Sequence, residues 1–442
     1  MAGSVILSVV LPKFSKSDTE CAVISTVSAL RASLRLRVVV RAMNEIKRKR
    51  FIQSGVGRNS NLSLFEKIMD SELLACGLEG HLSNRYVDNL LESTEKLERG
   101  LDLARAEAED CARSLGFEHI SEDRKIQFLR ALAQKGETAE EVSAFARVFR
   151  GLAIDPELSD FAERGIDVCG TGGDGFGTFN ISTTVAFVLA SAGVPVLKHG
   201  NRSITSQCGS ADLMEAVGIQ LIVDLPAHRK ALEALNFTFF FAPAFHPVFK
   251  AIMPARKALA AEGQKTIFNL LGPMINPARP KHQLMGVFAR RWVDPIAQAM
   301  GALGLKGGMV VHGEPIAGAA LDELSCAGVN HYRGFGRLAE QSGLLELSSA
   351  GLTQCTPEEL KGGSVDANRA LLDAFAENAP VGIPKGLRES IYLNVAAAFL
   401  SLGQVASLSE GVERAAETVE GGALSDWLKR VKGFYAALEE SA

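Results

Sequence analysis

The 442-residue sequence contains little proline, with 15 residues against 42 glycines, and its glycines follow no collagen-type period. No segment reaches the roughly 18 consecutive apolar residues that a membrane-spanning helix requires. No repeat of the solenoid type occurs either. These absences exclude collagen-like, low-complexity, helical-membrane and repeat proteins. The 47% hydrophobic and 22% charged residues are typical of a globular chain, and its length allows two domains.

The cysteines are sparse, odd in number and without a CxxC pair, which indicates reduced thiols in a reducing compartment. We therefore expect a cytoplasmic protein, or an organellar one if a transit peptide is present. The seven cysteines are Cys21, Cys76, Cys111, Cys169, Cys208, Cys326 and Cys355.

The formal net charge of −4 hides an asymmetry. Residues 1–60 carry eleven basic and three acidic residues, whereas the rest carries 36 basic and 48 acidic residues. An acidic body does not suit general nucleic-acid binding. An anionic ligand therefore needs a local site rather than the field of the whole chain.

The sequence of the basic N-terminal part of the chain does not predict a contribution to a hydrophobic core, and we treat residues 1–68 as an extension. Its segment SALRASLRLRVVVRAMNEIKRKR is rich in Arg and Ser and poor in acids, as in an organellar transit peptide. The alternative, which we prefer, is an over-extended start with Met43 or Met69 as the true initiator.

A small helical domain is predicted over residues 86–157. Thr138 and Glu141 form a capping-box pattern. The apolar residues that follow recur at helical spacing and give one face. They are Val142, Phe145, Ala146, Phe149 and Leu152.

The pattern changes to strand–helix alternation over residues 158–442. The predicted strands are IDVCG, VPVLK, IQLIV, FTFFFA, QLMGVF and MVVH. The predicted helices include STTVAFVLASAG, capped by the hydroxyl of Ser182, and SADLMEAVG. This alternation favours an α/β domain with a mainly parallel sheet covered by helices.

The glycine-rich turn GTGGDG, residues 170–175, lies between a predicted strand and a predicted helix. Glycines allow positive φ and turn several N–H groups into one concavity, and a helix N-terminus adds a favourable dipole. The turn lacks the GK[ST] of a Walker loop and the spacing of the dinucleotide GxGxxG pattern. It suits a phosphate or pyrophosphate, although a tight turn without a ligand is the plain alternative.

Two further polar segments accompany this turn. KHGNRS, residues 198–203, follows the VPVLK strand, where the carboxyl ends of parallel strands form a ligand crevice. Lys198 and Arg202 can neutralise a pyrophosphate there. The adjacent carboxylates of Asp322 and Glu323 are hard oxygen ligands for Mg²⁺ when they lie beside a phosphate site, and the Ser182 hydroxyl, next to the glycine-rich turn, could serve a second ion.

These segments together resemble the anthranilate phosphoribosyltransferase family, over roughly residues 90–435. The motifs that carry the resemblance are GTGGDGFGTFNIST, KHGNRSITS, GSAD, TIFNLLGPMINPAR, DELS and the tail segments LNVAA and SEGVERAAETV. The resemblance implies a helical domain joined to an α/β domain, as in the type II nucleoside phosphorylases, and a homodimer. It implies phosphoribosyl transfer from 5-phosphoribosyl 1-pyrophosphate (PRPP) to anthranilate, with Mg²⁺ as cofactor, in tryptophan biosynthesis.

The resemblance also assigns site residues. By this resemblance, Mg²⁺ is assigned to Ser182, Asp322 and Glu323, and anthranilate is assigned to Gly170, Asn201 and Arg256. His199 lies close by, and His199 and Arg202 are the candidates for a catalytic role without a firm general base. For PRPP the residues are Gly170, Gly173, Asp174, Thr178, Asn180, Ile181, Ser182, Thr183, Lys198, His199, Gly200, Asn201, Arg202, Ser203, Ile204, Thr205, Ser206 and Ser210.

Some features depart from the family pattern. The step before TIFN is longer and ends in Lys265, the segment before the acidic pair is extended, and Gln207 and Cys208 replace the usual lysine and serine. A transferase with another amine acceptor therefore stays open. A pyrimidine nucleoside phosphorylase and a non-catalytic nucleic-acid-binding relative are weaker alternatives, since the KHGNR segment, the acidic pair and the glycine turn are all present.

Overall fold

The computed structural model of the chain describes residues 79–202 and 207–440. The predictions for residues 1–68 and for Ser203, Ile204, Thr205 and Ser206 lie outside the described residues. Among the described helices, none combines the length and apolar character that crossing a bilayer requires. Cys111, Cys169, Cys326 and Cys355 are not joined in disulfides.

The described chain begins with helices, as the sequence predicts: α1 Glu79–Glu98, α2 Arg105–Leu115, α3 Glu122–Lys135, α4 Ala139–Leu152 and the short α5 Ser159–Ala162. The predicted capping box at α4 is confirmed. Thr138 Oγ1 accepts from Glu141 N at 3.2 Å, and Glu141 Oε2 accepts from Thr138 N at 2.8 Å. These two bonds satisfy backbone donors that the first turn of a helix leaves unpaired.

A mainly parallel sheet follows, which confirms the α/β prediction. Its strands are β1 Ile166–Gly170, β2 Val196–Gly200, β3 Phe237–Phe241, β4 His282–Gly286, β5 Gly307–Glu314, β6 Val329–Gly336 and β7 Ser342–Leu344. The strand order is β3-β2-β1-β4-β5-β6-β7. Strands β1 to β5 pair in parallel, and β6 and β7 are added antiparallel.

Helices connect and cover these strands: α6 Ile181–Ser191, α7 Ser210–Ala216, α8 Leu225–Leu235, α9 Ala242–Phe245, α10 Met253–Ala261, α11 Phe268–Leu271, α12 Val293–Ala302, α13 Val365–Ala376, α14 Lys385–Leu402, α15 Leu408–Glu420 and α16 Ala423–Glu440. Single 3₁₀ turns occupy Pro247–Ala251, Gly272–Ile275, Arg290–Trp292, Leu347–Ala350 and Pro357–Leu360.

Alternate residues of the strands face two hydrophobic clusters. Leu284 and Met309 belong to the cluster with α6, α14 and Trp427, whereas Met285 and Val310 belong to the cluster with α3, α4 and α12. Successive strand side chains point to opposite faces, so both faces of the sheet are buried. The second cluster also contains residues from the N-terminal helices, and residues 78–442 form one compact unit. A domain boundary at residues 157 and 158 stays a prediction.

Two predicted secondary-structure elements are wrong. IQLIV is not a strand but an irregular link between α7 and α8, in which Ile219 and Leu221 are buried while Ile222 is 72% exposed. The apolar stretch HPVFKAIMPARKAL, which the sequence predicts to be helical from His246, is not one helix, because Pro247 starts a separate 3₁₀ turn and the α-helix begins only at Met253. The antiparallel strands β6 and β7 were not predicted.

The order of the strands places a switch point between β1 and β4. The chain runs outward from β1 to β2 and β3, and then returns to β4 on the other side of β1. Gly170 and Gly286, the last residues of β1 and β4, are paired in register. In open parallel sheets the crevice outside such strand ends holds the ligand.

Candidate active site

The acidic segment Leu321–Ser325 lies across the carboxyl ends of β1 and β4. A Cβ atom on Gly170 would meet Asp322 Oδ2 at 2.0 Å, and one on Gly286 would meet the Asp322 carbonyl oxygen at 1.4 Å. Only glycine at these two strand ends allows the Asp322 backbone and carboxylate to come so close. The sheet therefore positions Asp322 at the switch point.

The glycine-rich turn closes over the same place. Gly172, Gly173, Gly175 and Gly177 have φ angles of 67°, 76°, 73° and 72°. This is the left-handed region that glycine adopts without strain. Gly172 N donates to Asp322 Oδ2 at 2.6 Å, so the turn and the acidic segment are directly bonded across 150 residues of sequence.

Helix α6 begins at Ile181 rather than at Ser182, and the predicted hydroxyl cap is absent. Asn180 is the capping residue, but its side chain makes no capping bond. Instead Glu323 Oε1 accepts from Ser182 N at 3.1 Å. A carboxylate from elsewhere in the chain thus satisfies the first turn of α6 and interacts favourably with its dipole.

Three carboxylates meet at this point. Burial, followed by the charge of Asp174, raises the pKa of Asp322; burial, followed by the charge of Asp322, raises the pKa of Glu323. Asp174 Oδ2 is a buried oxygen without a hydrogen-bond partner in the described part of the chain. Such an oxygen-rich cluster fits a hard divalent cation, which would favour the ionised carboxylates.

These residues supply only part of a metal site. Across residues 79–202 and 207–440, no three His, Cys, Asp or Glu side chains are arranged as a complete metal-binding group. Mg²⁺ keeps several waters and takes one or two protein carboxylates together with substrate phosphate oxygens. Ser182, Asp322 and Glu323 therefore fit Mg²⁺ that is bound jointly with a phosphorylated substrate.

The end of β2 lies beside this cluster, but Lys198 lies beneath the surface. It is 1% exposed, and its Nζ donates to Val168 O at 2.5 Å. Burial raises the pKa of Asp167, and the positive charge of Lys198 opposes that effect, as it does at Glu323. Asn276 Nδ2 donates to Asp167 Oδ2 at 2.8 Å. Lys198 thus supplies positive charge from below the strand ends.

Arg202 lies on the opposite, exposed side of the KHGNRS segment. Its guanidinium donates to Glu215 at 2.6 and 2.8 Å and to Asp212 at 2.9 Å, both on α7. Ser210 Oγ, at the start of α7, donates to Asn201 O at 3.1 Å. Helix α7 therefore holds the segment that leads into residues 203–206.

A separate cluster of rings surrounds Arg256 on α10. The half-buried guanidinium lies 5.8 Å from the Phe249 ring centroid and 5.2 Å from that of Phe268. Burial lowers the pKa of Arg256, and no described carboxylate lies within ion-pairing distance of it. A planar cation between aromatic faces is a suitable partner for an aromatic carboxylate.

Two buried histidines continue this cluster. His246 packs edge-on against Phe249, and its Nε2 lies 3.2 Å from His199 Nε2. Burial lowers the pKa of His199 to about 3 and that of His246 to about 4, so both rings are neutral at pH 7. His199 Nδ1 faces Gly272 O at 3.1 Å and must donate to it, so His199 Nε2 accepts from His246 Nε2–H. His246 Nδ1 is then an acceptor, with no partner among the described residues.

Lys265 joins this cluster to the glycine-rich turn. Its Nζ donates to Gly173 O at 3.2 Å and lies 3.6 Å from the Phe288 ring centroid. Lys265 ends the lengthened step before TIFN, so the departure from the family pattern places a cation at the turn.

Comparisons with known proteins identify the family of the chain. The family described as glycosyl transferase family, a/b domain, matches residues 162–424. Anthranilate phosphoribosyltransferase of Anaeromyxobacter dehalogenans is 39% identical over 336 residues, which are 76% of this chain and 96% of that protein. The chain belongs to the anthranilate phosphoribosyltransferase family.

Other members of the family give the same result. The enzyme of Rhodospirillum rubrum is 40% identical over 304 residues, covering 69% of this chain and 84% of that protein. The crystal structure of the Thermus thermophilus enzyme is 36% identical with a TM-score of 0.70, covering 78% of this chain and 99% of that one. The Saccharomyces cerevisiae enzyme in complex with PRPP and Mg, 24% identical with a TM-score of 0.68, covers 79% of this chain and 98% of that one and supports the fold alone.

The structure brings Asp174, Ser182, Asp322 and Glu323 together at the glycine-rich turn. Arg202 is instead paired with Asp212 and Glu215 on α7, and the side chains of Ile181 and Thr183 are buried in the core, at 0% and 1% exposure. Sequence reasoning missed His246, Lys265 and Asn368. A histidine ahead of the arginine helix and a cation ahead of TIFN were visible signals for the first two.

Proposed function

We propose that this chain transfers the phosphoribosyl group of PRPP to anthranilate, giving N-(5-phosphoribosyl)anthranilate and pyrophosphate for tryptophan biosynthesis. The observation that carries the proposal is the meeting of the glycine-rich turn, the acidic pair and the α6 N-terminus at the switch point between β1 and β4. Helix N-termini and glycine-rich turns bind phosphates, and adjacent carboxylates bind their metal.

The donor is assigned to a set of residues that we call the donor side: Gly170, Gly173, Asp174, Thr178, Asn180, Ser182, Lys198–Ser206, Ser210, Asp322 and Glu323. Ile181 and Thr183 add only backbone groups to it, because their side chains are buried in the core. Ser182, Asp322 and Glu323 would hold Mg²⁺, which would supply positive charge to the pyrophosphate leaving group. Backbone N–H groups of the turn and the buried ammonium of Lys198 add to the stabilisation of the leaving group.

The acceptor is assigned to Arg256, Asn201 and Gly170 with the two histidines, which we call the acceptor side. Arg256 fits the anthranilate carboxylate because its guanidinium is desolvated and has no described ion-pair partner. The amine attacks C1 of the ribose and forms the C1–N bond as the C1–O bond to pyrophosphate breaks, and its proton passes to the released pyrophosphate or to water. His246 Nδ1, an unpartnered acceptor of a neutral ring, is the described group best suited to orient the amine.

Assembly and location stay proposals of the same kind. A homodimer is expected from the family resemblance. A cytoplasmic location, or an organellar one, depends on the fate of residues 1–68, which lie outside the described part of the chain.

A fluorescence assay tests the proposed function. The purified protein is mixed with anthranilate, PRPP and Mg²⁺, and the loss of anthranilate fluorescence is followed together with pyrophosphate release. Both signals are expected. Pyrophosphate release with another arylamine but not with anthranilate would favour the alternative acceptor, and no release with any amine at high protein concentration would overturn the proposal.

A further inference from the structure

The outer arm of the glycine-rich turn is paired with a distant segment, residues 360–368, which no prediction included. Phe179 N donates to Leu360 O at 3.0 Å, and Gly362 N donates to Gly177 O at 3.1 Å. Thr178 and Lys361 form an antiparallel bridge between these two bonds. The Lys361 ammonium also donates to Phe176 O and lies 3.7 Å from the Phe176 ring centroid. Residues 176–179 are therefore held by the 360–368 segment.

The close approach of the two segments depends on one glycine of an adjacent pair. A Cβ atom on Gly362 would lie 2.8 Å from Phe179 N, from Phe179 Cα and from Thr178 O. A Cβ atom on Gly363 would meet only the Ala367 Cβ, at 3.2 Å. A methyl group at residue 362 must therefore move the arm of the turn, whereas one at residue 363 leaves it in place.

A buried amide extends this attachment to the start of α6. Asn368 is 1% exposed, and its Oδ1 accepts from Gly363 N at 2.8 Å while its Nδ2 donates to Asn180 Oδ1 at 2.7 Å. Asn180 Nδ2 in turn donates to Cys208 O at 3.0 Å. This chain of amides ties the 360–368 segment, the capping position of α6 and the segment after residue 206 to one another.

We propose that the 360–368 segment positions the donor side, with Gly362 and Asn368 as positioning residues that set the affinity for PRPP and leave the affinity for anthranilate unchanged. The inference rests on the proposed function of the glycine-rich turn as the PRPP site. Neither residue needs to touch the substrate. Each acts on the turn or on Asn180, whose geometry must be fixed before the N–H groups can receive a pyrophosphate.

The test compares Gly362→Ala with its matched control Gly363→Ala, and Asn368→Ala with Thr238→Val. Thr238 makes an equally buried bond, at 2.8 Å to His228 Nδ1, on β3 and apart from both clusters. Gly362→Ala and Asn368→Ala are expected to raise the PRPP KM about tenfold, which corresponds to the free energy of one lost buried hydrogen bond. The anthranilate KM is expected to stay within about twofold of wild type. The two control variants are expected to retain both KM values.

Calorimetric titration of each variant with PRPP and Mg²⁺ gives a second readout that does not need turnover. Wild-type protein that binds PRPP but converts no amine would overturn the proposed function. The PRPP affinities of the variants would still test whether the 360–368 segment positions the donor side. Equal PRPP affinity in Gly362→Ala and Gly363→Ala would overturn the inference, as would equal rises in both KM values. Absence of PRPP binding to wild type would overturn both. If Asn368→Ala fails to fold, the glycine pair decides.

Discussion

The donor side and the acceptor side are built from different kinds of interaction. On the donor side, backbone N–H groups and carboxylates are joined by short bonds, such as 2.6 Å from Gly172 N to Asp322 Oδ2. On the acceptor side, rings surround a cation and two imidazoles, and the described residues leave the charge of Arg256 and the His246 Nδ1 atom unmatched. On the donor side the protein fixes the glycine-rich turn by its own hydrogen bonds and, among the described residues, leaves Asp174 Oδ2 unpartnered, whereas on the acceptor side the described residues leave a cation without an ion-pair partner and an imidazole nitrogen without a hydrogen-bond partner.

This difference gives each side its own response to mutation. A change to a charged group of the donor side acts on the binding of PRPP and, through charge stabilisation in the transition state, on turnover. A change in the acceptor side removes a contact to anthranilate, and therefore acts mainly on the KM of anthranilate.

The largest effect is expected from Asp322→Asn. The variant removes one charge from the proposed Mg²⁺ site and should lower kcat about 100-fold or more, the usual cost of losing one electrostatic group at a reacting centre. The Tm should not fall, because burial already disfavours the charged Asp322, as its raised pKa shows. Turnover measured across Mg²⁺ concentrations, with a thermal melt, checks both.

Asp426→Asn is the matched control, because Asp426 is an exposed carboxylate on α16 and its side chain is 75% accessible. It should leave kcat and the Mg²⁺ dependence unchanged. Full activity of Asp322→Asn, or of wild type in excess EDTA, would contradict the assignment of Asp322 to Mg²⁺. The donor side would then not differ from the acceptor side in its dependence on a metal ion.

Lys198→Met should act on the fold as well as on the donor side. It removes a fully buried cation close to Asp167, and the loss of one charge from a buried set costs about 3 kcal/mol of unfolding free energy. Denaturant melts measure this loss, and Asp167→Asn in the same chain should restore part of it. Lys257→Met, at an exposed position of α10, is the control.

Kinetics separate the two roles of Lys198. A raised PRPP KM together with the stability loss is expected, because the buried charge supports the donor side from below. An unchanged unfolding free energy with a PRPP defect would instead mean that Lys198 contacts the pyrophosphate directly.

The glycine-rich turn and the sheet could be predicted because their signals are local. Positive φ at Gly172 and Gly173 follows from the residue type, and the strand–helix alternation follows from short apolar runs. Glu323 as the cap of α6 and Asn368 as the partner of Asn180 could not be predicted, because these bonds span 141 and 188 residues. The IQLIV segment has the composition of a strand, but Ile219 and Leu221 pack into the core from an irregular link between α7 and α8.

A smaller effect, confined to one substrate, is expected from Arg256→Ala. Removing one partner of a desolvated charge pair costs about 2–5 kcal/mol, so the anthranilate KM should rise about 30-fold or more. The PRPP KM should stay near the wild-type value, and Arg256→Lys should recover only part of the loss, since an ammonium lacks the planar fork. Steady-state kinetics with each substrate varied in turn decides this.

The reverse pattern would contradict the acceptor assignment. If Arg256→Ala raised the PRPP KM and spared anthranilate, the two sides would share one electrostatic site, and another amine acceptor would become the better proposal.

The smallest effect is expected from removing residues 1–68, so that the chain starts at Met69. The segment before residue 61 is strongly basic, and 336 residues of this chain already cover 96% of a family member. PRPP carries more negative charge than anthranilate. A basic segment that attracted substrates electrostatically would therefore lower the KM of PRPP more than the KM of anthranilate. This effect would be largest at low salt, where charges are least screened. Both KM values should instead stay within about twofold of the full-length protein at low and at physiological ionic strength, since the residues of both clusters lie within the matched family domain, residues 162–424. A soluble, folded truncation whose PRPP KM alone rises at low salt would show that the donor side depends on charge from outside the two clusters.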